Sequence, residues 1–175
     1  MKYFIEIGSN NYDTLYNLCE QGWKGVMVEP VKEVFDSLPK HDNLMLLNLA
    51  IAENEGVKDF YVVNSTTAWS SLKPDHHKRV DSNSGAEIIK VQAITFDKLM
   101  ELSGFPYVDF LKIDTEGYDA TIIKSIDFNK HQIKRIQFEH LHMSVKDWLE
   151  LDDILTSAGF DLIGTDEANA NWEKL

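Results

Sequence analysis

The residues with chemistry in them are acids that close short apolar runs. Val108 to Ile113 stops at Asp114-Thr115-Glu116-Gly117, an earlier run stops at Glu6 just before Gly8, another at Glu29-Pro30, and another at Glu139-His140. Two carboxylates within three residues, Asp114 and Glu116, can serve a turn and a helix start. They can also take a proton from a substrate. In a parallel sheet such strand ends converge on one edge. An edge crowded with carboxylates calls for a cationic or hydroxyl-rich ligand, because buried, unpaired acids are costly or take up protons. Histidine is the side chain suited to proton transfer near neutral pH, so His140 ranks first as a general base, ahead of Asp114 and Glu116, with Glu139 placed to orient it. Asp114, Glu116, Glu139 and His140 or His142 can also form an oxygen-rich divalent site. No metal-ligand spacing singles that site out, and no metal is expected.

Glu29 follows Gly8 by 21 residues. At the end of a second strand this is where an acid binds the ribose hydroxyls of an adenosine cofactor. The same residue can instead serve the helix that starts at Pro30. Gly8 lets a ligand approach the backbone, and free amides at the next helix start suit a carboxylate. The dinucleotide fingerprint is poorly met, since its second and third glycine positions hold Asn10 and Asp13. A pyrophosphate among Glu6, Asp13 and Glu29 would be repelled. A cofactor with a positive centre, an amino acid end and an adenosine end fits better, and S-adenosylmethionine is such a molecule.

The elements that must position these residues alternate. Tyr3 to Ile7 reads as a strand. A helix with Leu15, Leu18 and Cys19 inward follows, stopped at Gly22. Gly25 to Val28 is a second strand, and Pro30 opens a helix with Val31, Val34, Phe35 and Leu38 inward. Leu44 to Ile51 reads as one continuous apolar strand covered on both faces. Three such repeats predict right-handed crossovers in a doubly wound sheet. Val57 to Val63 and Ile88 to Ile94 then read as strands flanking a long polar stretch, which marks an inserted hairpin or loop. There His76-His77 reads as a solvated pair, and Trp69-Ser70-Ser71 as a sugar platform or a buried anchor. A helix follows from the Thr95 cap to Leu102. Val108 to Ile113 is a strand and Asp119 caps the helix after it. Ile133 to Phe138 is a strand, Ser144 to Ala158 a helix, and Phe160 to Ile163 the last clear strand. Trp172 marks a further short edge strand.

Bulk properties narrow the partners. The chain has 175 residues and a net charge of −12, from 17 basic and 29 acidic side chains. That surface repels phosphate backbones, so nucleic acid is not an expected partner. The single cysteine, Cys19, excludes an internal disulfide and fits a reducing compartment. The longest apolar stretch, Leu44 to Ala52, is too short to span a bilayer, and no signal-peptide core precedes Glu6. A single cytoplasmic domain over 1–175 is expected, with no membrane partner.

Four motifs, in order, resemble the FkbM-type S-adenosylmethionine-dependent methyltransferases: Ile5-Glu6-Ile7-Gly8-Ser9-Asn10, Gly22-Trp23-Lys24-Gly25-Val26-Met27-Val28-Glu29-Pro30, Asp109-Phe110-Leu111-Lys112-Ile113-Asp114-Thr115-Glu116-Gly117-Tyr118-Asp119, and Ile136-Gln137-Phe138-Glu139. The family glycine after Asn10-Asn11 is here Tyr12. The resemblance implies an α/β, Rossmann-like class I methyltransferase fold. Its sheet would be mostly parallel and doubly wound, with helices on both faces and the insertion at 57–94. It also implies methyl transfer onto oxygen, in a sugar or other small-molecule hydroxyl. Gly8, Ser9 and Asn10 would then hold the cofactor's amino acid end, and Glu6 would also bind the cofactor. Glu29 and Pro30 would hold the ribose, Ala50 would border adenine, and Asp114 would meet the cofactor amine or the acceptor. A nicotinamide oxidoreductase and a non-catalytic nucleoside- or glycan-binding module are the competing readings of the same edge.

Overall fold

The computed structural model describes residues 1–10, 15–63, 67–74, 76, 78 and 85–174. Ten strands and the helices between them follow in chain order. The first half contains β1 (Tyr3–Ile7), α1 (Asn17–Glu20), β2 (Lys24–Val28), α2 (Lys32–Ser37), β3 (Leu44–Leu47), β4 (Ala50–Ile51), β5 (Gly56–Val63), a 3-10 turn (Thr67–Trp69) and β6 (Ala86–Ile94). The second half contains α3 (Phe96–Ser103), β7 (Val108–Ile113), α4 (Asp119–Ser125), β8 (Ile133–Glu139), α5 (Val145–Ser157), β9 (Asp161–Thr165) and β10 (Asn169–Glu173).

Seven strands form the main sheet in the order β3-β2-β1-β7-β8-β10-β9. Strands β3, β2, β1, β7 and β8 run parallel, and β10 lies antiparallel between β8 and β9. The chain winds outward in both directions from β1, so β1 and β7 flank the switch point where such sheets bind ligands. Alternation along the strands sorts the two faces. Ile5, Val26, Leu111 and Ile136 face Leu99 of α3, Ile122 of α4 and Leu155 of α5. Phe4 and Met27 face the other way and pack with Cys19 of α1 and Leu38 after α2. Helices therefore cover both faces, and the fold is a Rossmann-like α/β sheet. The Thr95 cap read from the sequence is present, accepting from the Lys98 amide, and Ser144, read as the first helical residue, instead caps α5 by accepting from the Asp147 amide.

Two strand expectations need correction. Leu44 to Ile51 is not one strand. It breaks at Asn48, whose side-chain amide donates to the carbonyls of Glu29 (2.8 Å) and Pro30 (3.1 Å). β3 stops there as the edge of the main sheet, only partly buried. β4 leaves to pair with β6 in a second sheet of order β4-β6-β5. That sheet contains the expected insertion, with β5 and β6 in register from Gly56–Ala93 to Val63–Ala86. The strand at Trp172 is not an edge strand either. β10 is interior, Trp172 is 2% exposed within the main core, and β9 forms the edge.

Trp172 locks the final strand pair to the rest of the sheet. Trp172→Ala should lower unfolding free energy by about 3–5 kcal/mol, read from the midpoint of urea denaturation.

Candidate functional site

Backbone register assembles the site. Ile7 pairs with Val28 of β2 and with Ile113 of β7, so Gly8, Glu29 and Asp114 leave the sheet side by side. The Gly8 amide donates to Val28 O (3.0 Å), and the Asp114 amide to Ile7 O (2.9 Å). Gly8 has φ +80°, and a Cβ there would sit 1.8 Å from the Asp114 carbonyl oxygen. No other residue fits without moving β7. Above this junction lies a cavity of about 240 Å³, bounded by Gly8, Glu29, Asp114 and Glu116 on its polar side. Val31, Ala50, Ile51, Phe60 and Leu72 supply apolar wall. Ser9, Asn10 and Pro30 also line it. The structure thus brings together most of the residues proposed from the sequence.

Glu29 organises one rim. Its Oε2 accepts from the Asn10 amide (2.9 Å) and its Oε1 from the Val31 amide (2.8 Å). The carboxylate therefore holds the glycine loop and the entry to α2 at once, with Asn10 in a left-handed conformation (φ 41°). Burial pushes its pKa up to about 7, against the pull of those two amides. Ser9 is buried, its hydroxyl turned back toward the Val28 carbonyl.

Glu6 departs from its expected place. It is fully buried and does not line the cavity. It faces Lys112, its register partner on β7, at 3.3 Å, and it accepts from the Leu15 amide (2.9 Å). Burial still raises its pKa to about 7, outweighing Lys112. Glu6 supports the loop from below rather than meeting a ligand. Tyr12 and Asp13 lie outside the described residues.

The Asp114–Gly117 turn carries a second concentration of groups. Asp119 does not cap α4 as expected, since Tyr118 holds the cap position. Instead the Asp119 carboxylate accepts from the Thr115 hydroxyl (3.1 Å) and the Gly117 amide (3.2 Å), closing the turn. Burial raises its pKa to about 7. Glu116 is held with φ 54°, which few non-glycine residues adopt. Its Oε2 lies 3.3 Å from Nε2 of His76, a residue that is 1% exposed. His76 is therefore no solvated loop residue, while His77 lies outside the described residues. Gly117 makes room for it: a Cβ there would come within 3.1 Å of His76 Nδ1. The insertion is tied to this turn again by the Ser71 hydroxyl, which donates to Thr115 O (3.0 Å). That favours the buried-anchor reading of the Trp69-Ser70-Ser71 stretch.

Glu139 and His140 separate because neighbours on a strand point to opposite faces. The Glu139 side chain joins Asp114 and Glu116, with carboxylate oxygens of all three within 4.8 Å of one another. Burial first, then the charges of Glu116, Asp119 and Asp114, push its pKa up to about 9. His140 packs instead on Trp148 of α5 (centroids 5.5 Å), with Nε2 3.2 Å from the Asp166 carbonyl. It belongs to the β9–β10 turn and not to the carboxylate cluster, so it loses its rank as the base. His76, Phe60 and Leu72 are site residues that no spacing in the sequence signalled.

A sheet with this order and a cavity at its switch point define a Rossmann-like methyltransferase fold. Residues 6–162 match the family model described as Methyltransferase FkbM domain, and the chain belongs to that methyltransferase family. No curated protein matches the chain.

Glu29 gives a pH signature. Its folded pKa of about 7 exceeds the ordinary value of 4.5, so the folded chain keeps a proton that the unfolded chain has lost. That stability is full below the ordinary value and is lost as pH rises through about 7. Between pH 5 and 7.5 the wild type should lose about 2 kcal/mol more unfolding free energy than Glu29→Gln, measured by urea denaturation.

Proposed function

We propose that the chain moves a methyl group from S-adenosylmethionine onto a hydroxyl oxygen of a small molecule or glycan. The observation that carries this reading is the cavity in which Gly8, Glu29 and Asp114 meet at the switch point. Its two ends are unlike, as the cofactor's are. The apolar wall of Ala50, Ile51, Phe60 and Leu72 suits a purine. Glu29 spends one hydrogen bond on each oxygen and retains lone pairs for two ribose hydroxyls. The side-chain-free backbone at Gly8 and the carboxylate of Asp114 suit the amino acid end and a sulfonium. When bound, the cofactor supplies a methyl group already activated for displacement.

The chain's own work is then to place an acceptor and remove its proton. Asp114 lines the cavity beside Gly8, and we assign it the proton that His140 is turned away from. The acceptor oxygen forms the new bond to carbon as the carbon–sulfur bond breaks, and that electron pair stays on sulfur. The net charge of −12 supports a small, non-nucleic-acid acceptor. Among the described residues no helix is long and apolar enough to cross a membrane.

Calorimetry with S-adenosylhomocysteine tests the cofactor assignment. Glu29→Ala should weaken binding at least about tenfold, the scale of one lost charge-assisted hydrogen bond. Unchanged affinity would remove Glu29 from the ribose. On a responsive hydroxyl acceptor, Asp114→Asn should lower turnover about 10²–10⁴-fold.

A further inference from the structure

We infer that His76, Glu116 and His142, with Glu139 and Asp114 beside them, form a site for one divalent first-row transition ion at the wall of the cavity. Two sets of three donors carry the inference. One donor atom from each of His76, Glu116 and His142 lies within 4.8 Å of the others, and so do those of Asp114, Glu116 and Glu139. The sets share Glu116, so an ion at its carboxylate draws on both. Ions of this class bind imidazole and carboxylate at about 2.0–2.2 Å. Donors facing each other across such an ion are then roughly 4 Å apart, a spacing these sets can reach with small side-chain shifts.

More than a gathering of acids is present. Glu139 is 10% exposed at its side chain, and its Oε2 is buried with no hydrogen-bond partner among the described residues. That oxygen belongs to a carboxylate that faces Asp114 and Glu116. A buried oxygen in such company needs a proton or a cation. Of the described lysines, Lys73 reaches the Gly117 carbonyl (3.3 Å) and Lys112 faces Glu6 (3.3 Å). The imidazoles are held in place, His76 packing edge-on against His142 at 4.9 Å between centroids. Two imidazoles in the set favour iron, nickel, copper or zinc over magnesium or calcium, and its three carboxylates also suit manganese. The sequence offered Asp114, Glu116, Glu139 and His142 as divalent ligands but not His76, which reaches the site from the insertion, far from the others in the chain.

Asp114 and Glu116 line the cavity, so an ion held by them would border the space where the methyl-transfer reading places an acceptor. The acceptor class is then a hydroxyl compound able to bind an ion, whose O–H acidity the ion raises. That role rests on the methyl-transfer reading above; the ion site does not.

The test uses the full chain, freed of metal with a chelator, titrated with Mn²⁺ in the absence of cofactor. Free Mn²⁺ is followed by electron paramagnetic resonance, and the melting temperature is recorded alongside. One Mn²⁺ per chain is expected, with a rise in melting temperature. His142→Ala and Glu139→Gln should each weaken Mn²⁺ binding at least about tenfold. S-adenosylhomocysteine affinity should stay within about twofold in both, since neither residue lines the cavity. Absence of saturable Mn²⁺ binding, or binding that both substitutions leave intact, overturns the site. Mn²⁺ binding without S-adenosylhomocysteine binding would sink the methyl-transfer reading and leave the ion site standing.

Discussion

Everything at the working edge depends on how closely two backbones approach at Gly8. The residue after β1 lies against the Asp114 carbonyl, with room for hydrogen and nothing larger. That contact sets the level at which the first loop leaves the sheet. It also brings the ends of β1, β2 and β7 into one rim, from which Glu29 and Asp114 reach the same cavity. A wider gap would put those carboxylates out of reach of one ligand.

Gathering acids at one edge has a physical consequence that the fold meets in two ways, leaving one acid without either. Glu6 is opposed by Lys112 on the neighbouring strand, both buried. Glu29 and Asp119 are satisfied by backbone amides, which turns them into fasteners for the glycine loop and for the Asp114–Gly117 turn. Glu139 has neither remedy, and its pKa rises furthest of these acids. The contrast separates acids that hold the structure from Glu139, whose buried Oε2 has no hydrogen-bond partner among the described residues. The insertion belongs to this economy as well. Through Ser71 and His76 it presses on the turn that carries Asp114 and Glu116, so the second sheet helps shape the site rather than only shielding it.

Much of this was legible in the chain. The apolar runs ending in Glu29 and Asp114 marked the parallel strands, because a strand buried on both faces has little choice but to be apolar throughout. The glycine–acid spacing marked one rim of the cavity, because it reflects one strand–helix–strand unit of fixed length. The reading failed where local pattern and tertiary place diverge. Leu44 to Ile51 looked like one buried strand, yet Asn48 takes two carbonyls of a distant turn and the chain changes sheets. Trp172 looked peripheral because a short polar tail gives no sign that it will be inserted between two earlier strands.

Local sequence thus determined most of the strands, the cap at Thr95, and that Glu29 and Asp114 end up at the cavity. Each depends on side-chain periodicity or on contacts a few residues apart. Only the tertiary structure decided which of those acids are structural, that Glu139 turns inward while His140 turns toward Trp148, and that His76 arrives from the insertion. Those outcomes depend on strand facing and on packing between segments distant in the chain. One-dimensional spacing does not encode such contacts.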